Sequence, residues 1–131
     1  MQATDVHGQT FKNGTVTLLA RIVGQDGDNL VKADLSTITY TIYLLDERDP
    51  DARTAVSEHS AVPVTVANAI FDTLQTGGVW DVDETGYNFR HTLDVSEHEA
   101  FAIAGRCYLV EFRMTPTSGQ VIVVRFRLKV V

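Results

Sequence analysis

This sequence predicts an all-β chain folded as an antiparallel two-sheet sandwich of about seven strands, and three observations predict it. Residues 38–44 read Ile-Thr-Tyr-Thr-Ile-Tyr-Leu, an alternation that sends Ile38, Tyr40, Ile42 and Leu44 to one face and Thr39, Thr41 and Tyr43 to the other. Residues 108–114 and 124–130 alternate in the same way and are joined by a short loop holding Pro116 and Gly119, which predicts a hairpin. Clusters of Gly, Asp, Asn and Pro recur between the apolar runs, as the turns of a sandwich do.

Each element follows from its residues. Residues 15–23 are rich in β-branched and aliphatic side chains and stop at Gly24-Gln25-Asp26-Gly27-Asp28-Asn29, so a strand with Val16, Leu18, Ala20 and Ile22 on one face runs into a turn. Ahead of it, residues 1–13 read as a loosely ordered N-terminal arm. The strand over residues 38–44 ends at Asp46-Glu47-Arg48-Asp49-Pro50-Asp51, a surface loop by its charges and the fixed φ of Pro50. Val62-Pro63-Val64 predicts a short edge strand, since Pro63 cannot donate to a ladder. Residues 67–74 fit a helical turn or a strand equally. Tyr87, Phe89, His91 and Leu93 alternate onto one side. The period then changes: Ser96 and Glu99 have capping-box spacing ahead of an apolar run that stops at Gly105, which predicts one short helix near residues 97–104. Tyr108, Val110, Phe112, Phe126 and Leu128 should join Ile38, Tyr40, Ile42 and Leu44 in a single core.

At 131 residues the chain is long enough to bury that core as one domain without disulfides or metals. Its single cysteine, Cys107, excludes an internal disulfide and a cysteine-based zinc cluster. There is neither a basic-then-apolar leader nor an apolar run of the roughly 20 residues a spanning helix requires, so the expectation is a soluble, cytoplasmic or particle-associated protein without membrane insertion. The Asn13-Gly14-Thr15 sequon carries no weight without a route to a glycosylating compartment. The formal net charge of −6 argues against nucleic acid, whose phosphates need clustered Lys and Arg. That charge is unevenly spread: residues 105–131 hold Arg106, Arg113, Arg125, Arg127 and Lys129 against the single acid Glu111.

The closing stretch, in which Tyr108 opens a strand two residues before the inward Val110, resembles the corner and final hairpin of immunoglobulin-like and fibronectin type III-like sandwiches. The resemblance covers residues 86–131 and implies that the Tyr108 hydroxyl folds back onto the preceding corner. The cysteine pair of antibody-type domains is missing, with Val110 and Leu18 or Ala20 in those places, and no Trp lies on the strand over residues 38–44. The Gly86-Tyr87-Asn88-Phe89 strand start is similar to that of small, uncharacterised, bacterial or phage-associated single-domain proteins, a likeness that implies a particle or surface-structure role without catalytic residues.

Catalysis finds no motif here. His7, His59, His91 and His98 lie in different segments, no Gly-x-Ser-x-Gly occurs, and Cys107 falls opposite the inward Tyr108 as a bland small residue would. No phosphate-binding glycine loop is present, and scattered carboxylates do not define an acid–base pair for sugar hydrolysis. No cofactor is expected. Asp26 and Asp28 resemble the start of a calcium loop, yet Leu30, Val31 and Thr37 occupy places where an EF-hand has a ligand, Gly and Glu; Asp81, Asp83 and Glu84 form a second acidic loop that either binds a cation or is solvated. Trp80 with Tyr43 offers an aromatic platform for a sugar or protein, against the plainer role of Trp80 as a plug for the core. Arg113 lies on the outer side of one strand of the hairpin, and Arg125, Arg127 and Lys129 recur at every second position on its partner. They are either a solvated face or a strip that docks an acidic protein, including another copy of this chain. The expectation is therefore a non-catalytic structural or protein-interaction domain, with a carbohydrate or calcium module as the alternative.

Overall fold

A computed structural model describes residues 2–23, 28–49, 52–75, 87–93, 95, 99–117 and 121–131, with the backbone alone for 2–7 and 75. Within them run nine strands: β1 (Gln2–Thr10), β2 (Val16–Ala20), β3 (Leu35–Leu45), β4 (Arg53–Ala55), β5 (Val62–Val64), β6 (Ile70–Gln75), β7 (Tyr87–Leu93), β8 (Cys107–Pro116) and β9 (Ile122–Val130). The six-stranded sheet has the order β1-β9-β8-β3-β4, with β5 also pairing β3, and the three-stranded sheet has the order β2-β7-β6. The chain is a mostly β sandwich of two sheets.

Alternation explains the packing. Ile38, Tyr40, Ile42, Tyr108, Val110, Phe112, Phe126 and Leu128 are all buried in one cluster, with Leu44 packed against its rim. Leu18, Ala20, Phe89 and Leu93 enter the same cluster from the smaller sheet. At its centre Phe112 meets Phe89 edge-on at 4.9 Å between ring centroids and Phe126 at 5.6 Å. Offset and edge-on rings add stabilisation beyond the area they bury.

Several elements differ from the sequence reading. Residues 2–10, read as an arm, form β1, which pairs with β9 in parallel from Gln2 opposite Ile122 to Thr10 opposite Val130. The ambiguous stretch takes both conformations in turn, a one-turn helix α1 (Val66–Ala69) followed directly by β6. The helix expected near residues 97–104 is not formed over the described part, 99–105; Ser96, Glu97 and His98 lie outside the described residues. The capping spacing loses there to tertiary bonds. Phe101 offers its carbonyl to the Asn13 N–H at 2.8 Å, Ile103 donates its N–H to the Tyr108 hydroxyl at 3.3 Å, and Gly105, at φ +87°, donates to Val130 O at 2.7 Å. A helix would need those groups for itself.

Asn88 ties the β2–β3 connection to β7. Its Oδ1 accepts the Ile22 N–H at 2.8 Å while Nδ2 donates to Ile22 O at 2.9 Å and Leu30 O at 3.0 Å. The side chain thus extends the ladder past the end of β2 and satisfies buried backbone groups that water cannot reach.

Candidate functional site

Among the described residues, the outer face of the six-stranded sheet gathers three arginines around one carboxylate. Register places Thr41 of β3, Glu111 of β8 and Arg125 of β9 in one row across the sheet, with Asp5 of β1 at the next register position. The neighbouring rows hold Thr39, Arg113 and Val123 on one side and Tyr43, Leu109 and Arg127 on the other. Leu109 and Val123 belong to this face rather than to the inter-sheet core, yet both are buried. Long arginine stems can cover such apolar floor while their heads stay in water.

Glu111 organises the cluster. It is 3 % exposed although it points away from the core, because three guanidiniums close over it. Arg125 Nε donates to its Oε2 at 3.3 Å, Arg113 Nε lies 3.3 Å from Oε1, and Arg53 Nη1 lies 3.6 Å from Oε2. The Arg53 guanidinium also stacks on Tyr43, 4.2 Å from the ring centroid. That is close enough for the ring face to attract the cation. One carboxylate therefore fixes three arginines on one face of the sheet, with Arg127 and Lys129 continuing the positive row along β9.

Of the residues singled out in the sequence, Arg113, Arg125, Arg127 and Lys129 do lie on this face, Arg113 and Arg125 being held by Glu111. Trp80, Asp26, Asp81 and Asp83 lie outside the described residues, and Asp28 is an exposed residue beside the Val23–Asn29 bridge. Among the described residues no three His, Cys, Asp or Glu side chains converge as a metal site would require. Among them, too, no helix is long and apolar enough to cross a membrane. Sequence reading missed Arg53 and the organising role of Glu111, and it set Tyr43 beside Trp80 where the structure stacks it on Arg53. Only the outward phase of Glu111 among outward arginines hinted at that organising role.

His59 and His91 serve the core instead. His59 is buried with Nδ1 3.1 Å from the Tyr40 hydroxyl, and His91 packs on Tyr40 and Phe112 with centroids at 5.5 and 5.6 Å. Burial pushes the Tyr40 hydroxyl pKa up and the His91 imidazole down, each toward its neutral form. At the sandwich end, Asp46 accepts the N–H groups of Arg48 and Asp49 at 2.7 and 3.1 Å, which hold its carboxyl below the usual range. Arg106 spans that turn, donating to Leu45 O at 2.8 Å and reaching Glu47 at 3.3 Å. These are structural bonds of a surface loop. Cys107 is exposed.

Neither a protein-family model nor a curated protein matches the sequence.

Proposed function

We propose that the chain is a non-catalytic, immunoglobulin-like structural or protein-interaction domain, which contributes the outer face of its six-stranded sheet to a larger bacterial or phage assembly by docking an acidic surface. The strand order supports the fold part of this reading, since an antiparallel β9-β8-β3 set faces a β2-β7-β6 sheet and the Tyr108 hydroxyl is bonded back to the corner before β8. The observation that carries the functional part is the Glu111-centred cluster. Against Glu111 and Asp5 it sets Arg53, Arg113, Arg125, Arg127 and Lys129, an excess of three cations on a chain whose formal net charge is −6. Cations pre-positioned by a buried carboxylate lose little side-chain entropy on meeting a partner, and a field opposite to that of the rest of the molecule orients encounter.

The test uses Arg127→Glu with Lys129→Glu, a pair chosen because neither residue contacts Glu111. Fluorescence anisotropy with a labelled polyglutamate peptide should show binding to wild type at low ionic strength, weakening with salt and lost in the variant. Absence of binding at low ionic strength, or equal binding by the variant, refutes docking through this face.

A further inference from the structure

The described strands leave four sheet edges, and three of them carry the devices that keep strands from pairing with other chains. On the six-stranded sheet, β4 is three residues long and begins with Arg53, and β5 beside it is three residues long and holds Pro63. At the opposite edge β1 includes Asp5 and His7. On the three-stranded sheet, β6 contains Asp72 and its pairing with β7 shifts register between Ile70 and Gln75. The remaining edge, β2, reads Val16-Thr17-Leu18-Leu19-Ala20. It has no charge, no Pro and no Gly, and its pairing with β7 runs without a shift from Val16 opposite Leu93 to Ala20 opposite Phe89.

Among the described residues, the sandwich is open beside this edge. A slot of about 160 Å³ between the sheets is lined by Gly8, Val16, Leu18, Leu19, Phe126 and Leu128, so core side chains of both sheets reach it. Gly8 pairs with Leu128, and a Cβ at that position would stand 3.4 Å from Leu128 Cδ2; a larger side chain there would fill the space next to Leu18.

We infer that β2 pairs antiparallel with β2 of a second copy about a two-fold axis at Leu18, joining the two small sheets into one of six strands ordered β6-β7-β2-β2-β7-β6. In that register Leu18 meets its own equivalent, Val16 faces Ala20, Thr17 faces Leu19 and Thr15 faces Arg21, so no like charges oppose one another. Two molecules that each carry a formal −6 approach best along their uncharged edge. The Leu18 side chains of both copies then lie over the slots left open beside Gly8. A contact five residues long falls short of the roughly 1,200–2,000 Å² of a stable complex, so the dimer forms at high concentration and dissociates on dilution. It lies on the opposite sheet from the arginine face and does not depend on it.

Sedimentation equilibrium of the full chain from about 10 μM to about 1 mM, the span in which a micromolar-to-millimolar dissociation constant registers, tests this. Wild type should dimerise with a constant that barely responds to salt. Thr17→Lys with Leu19→Lys, which charges the outward positions of β2, should weaken the dimer at least about tenfold, a loss of about 1.4 kcal/mol. Thr54→Lys on the β4 edge, and the Arg127→Glu, Lys129→Glu pair, should leave it unchanged. A wild type that stays monomeric throughout, a dimer indifferent to the β2 lysines, or one abolished by salt overturns the inference. Should the β2 variant unfold, hydrogen exchange of wild type decides instead: the Thr17 and Leu19 amides must gain protection as concentration rises, and unchanged exchange refutes the pairing.

Discussion

Replacing Glu111 by Gln keeps the shape of the side chain and removes the charge that three guanidiniums share. A pair of unit charges about 4 Å apart near a protein surface attracts by about 4 kcal/mol before solvation is counted. Arg113 is 60 % exposed and Arg53 and Arg125 are each 37 % exposed, so water screens most of this and about 0.5–1 kcal/mol per pair survives. Three such pairs, together with the repulsion among three cations left without their carboxylate, give an expected loss of about 2–3 kcal/mol. Urea denaturation at low ionic strength measures it: with a slope of about 1–3 kcal/mol per molar, the midpoint should fall by about 0.7–3 M. Salt should narrow the gap, because it screens the repulsion that the variant suffers and wild type does not. A Glu111→Gln variant within about 0.5 kcal/mol of wild type, or a gap that widens with salt, refutes the organising role of the carboxylate.

Two further perturbations probe the frame behind the face. Asn88→Ala should cost about 2–4 kcal/mol, since the Ile22 N–H and the carbonyls of Ile22 and Leu30 lose buried partners, and hydrogen exchange at the Ile22 amide should accelerate beyond the global change. Wild type should melt at a lower temperature at pH 5.5 than at pH 7.5, in part through His91. Burial depresses its folded pKa below the 6.5 of the free imidazole, so as pH falls through about 6.5 the unfolded chain binds a proton that the native state refuses, and stability declines until the folded pKa is reached. His91→Phe should reduce that decline; an identical pH dependence in the variant would show that the titration lies elsewhere.

Strand phase was legible wherever one face of a strand is wet. The period-two patterns of residues 38–44 and of the closing hairpin put every named core residue in the cluster or on its rim, and placed Arg113, Arg125, Arg127 and Lys129 on the outer side. Phase says nothing of which distant strand lies alongside. Arg53 reaches Glu111 only because β4 pairs with the C-terminal end of β3, with Arg53 opposite Leu45. β1 was missed for a related reason. Its alternation of small and polar residues is weak, and its order comes from a parallel ladder to the last strand of the chain, a partner no local pattern announces. The helix near 97–104 failed in the opposite sense: a sound local signal was outbid by carbonyl and N–H partners on β9, on Tyr108 and at Asn13.

The two surfaces singled out by this fold are chemically opposed, and that opposition determines what each can hold. A neutral edge such as β2 selects through backbone hydrogen bonds and tolerates any uncharged strand, so its affinity is insensitive to salt and limited by its length. The arginine face presents side chains rather than backbone, three of them held by one buried acid, so the docking proposed for it would select through charge and weaken as ionic strength rises. Because the face and the edge lie on different sheets, pairing through β2 leaves both copies of the arginine face open to solvent. A dimer built that way presents two cationic faces to an acidic neighbour in place of one, and the second contact becomes intramolecular once the first is made. Lysines placed on β2 should therefore weaken binding to an extended acidic surface while leaving binding to a single short acidic peptide unchanged. Equal loss on both would mean that edge and face are not separate sites.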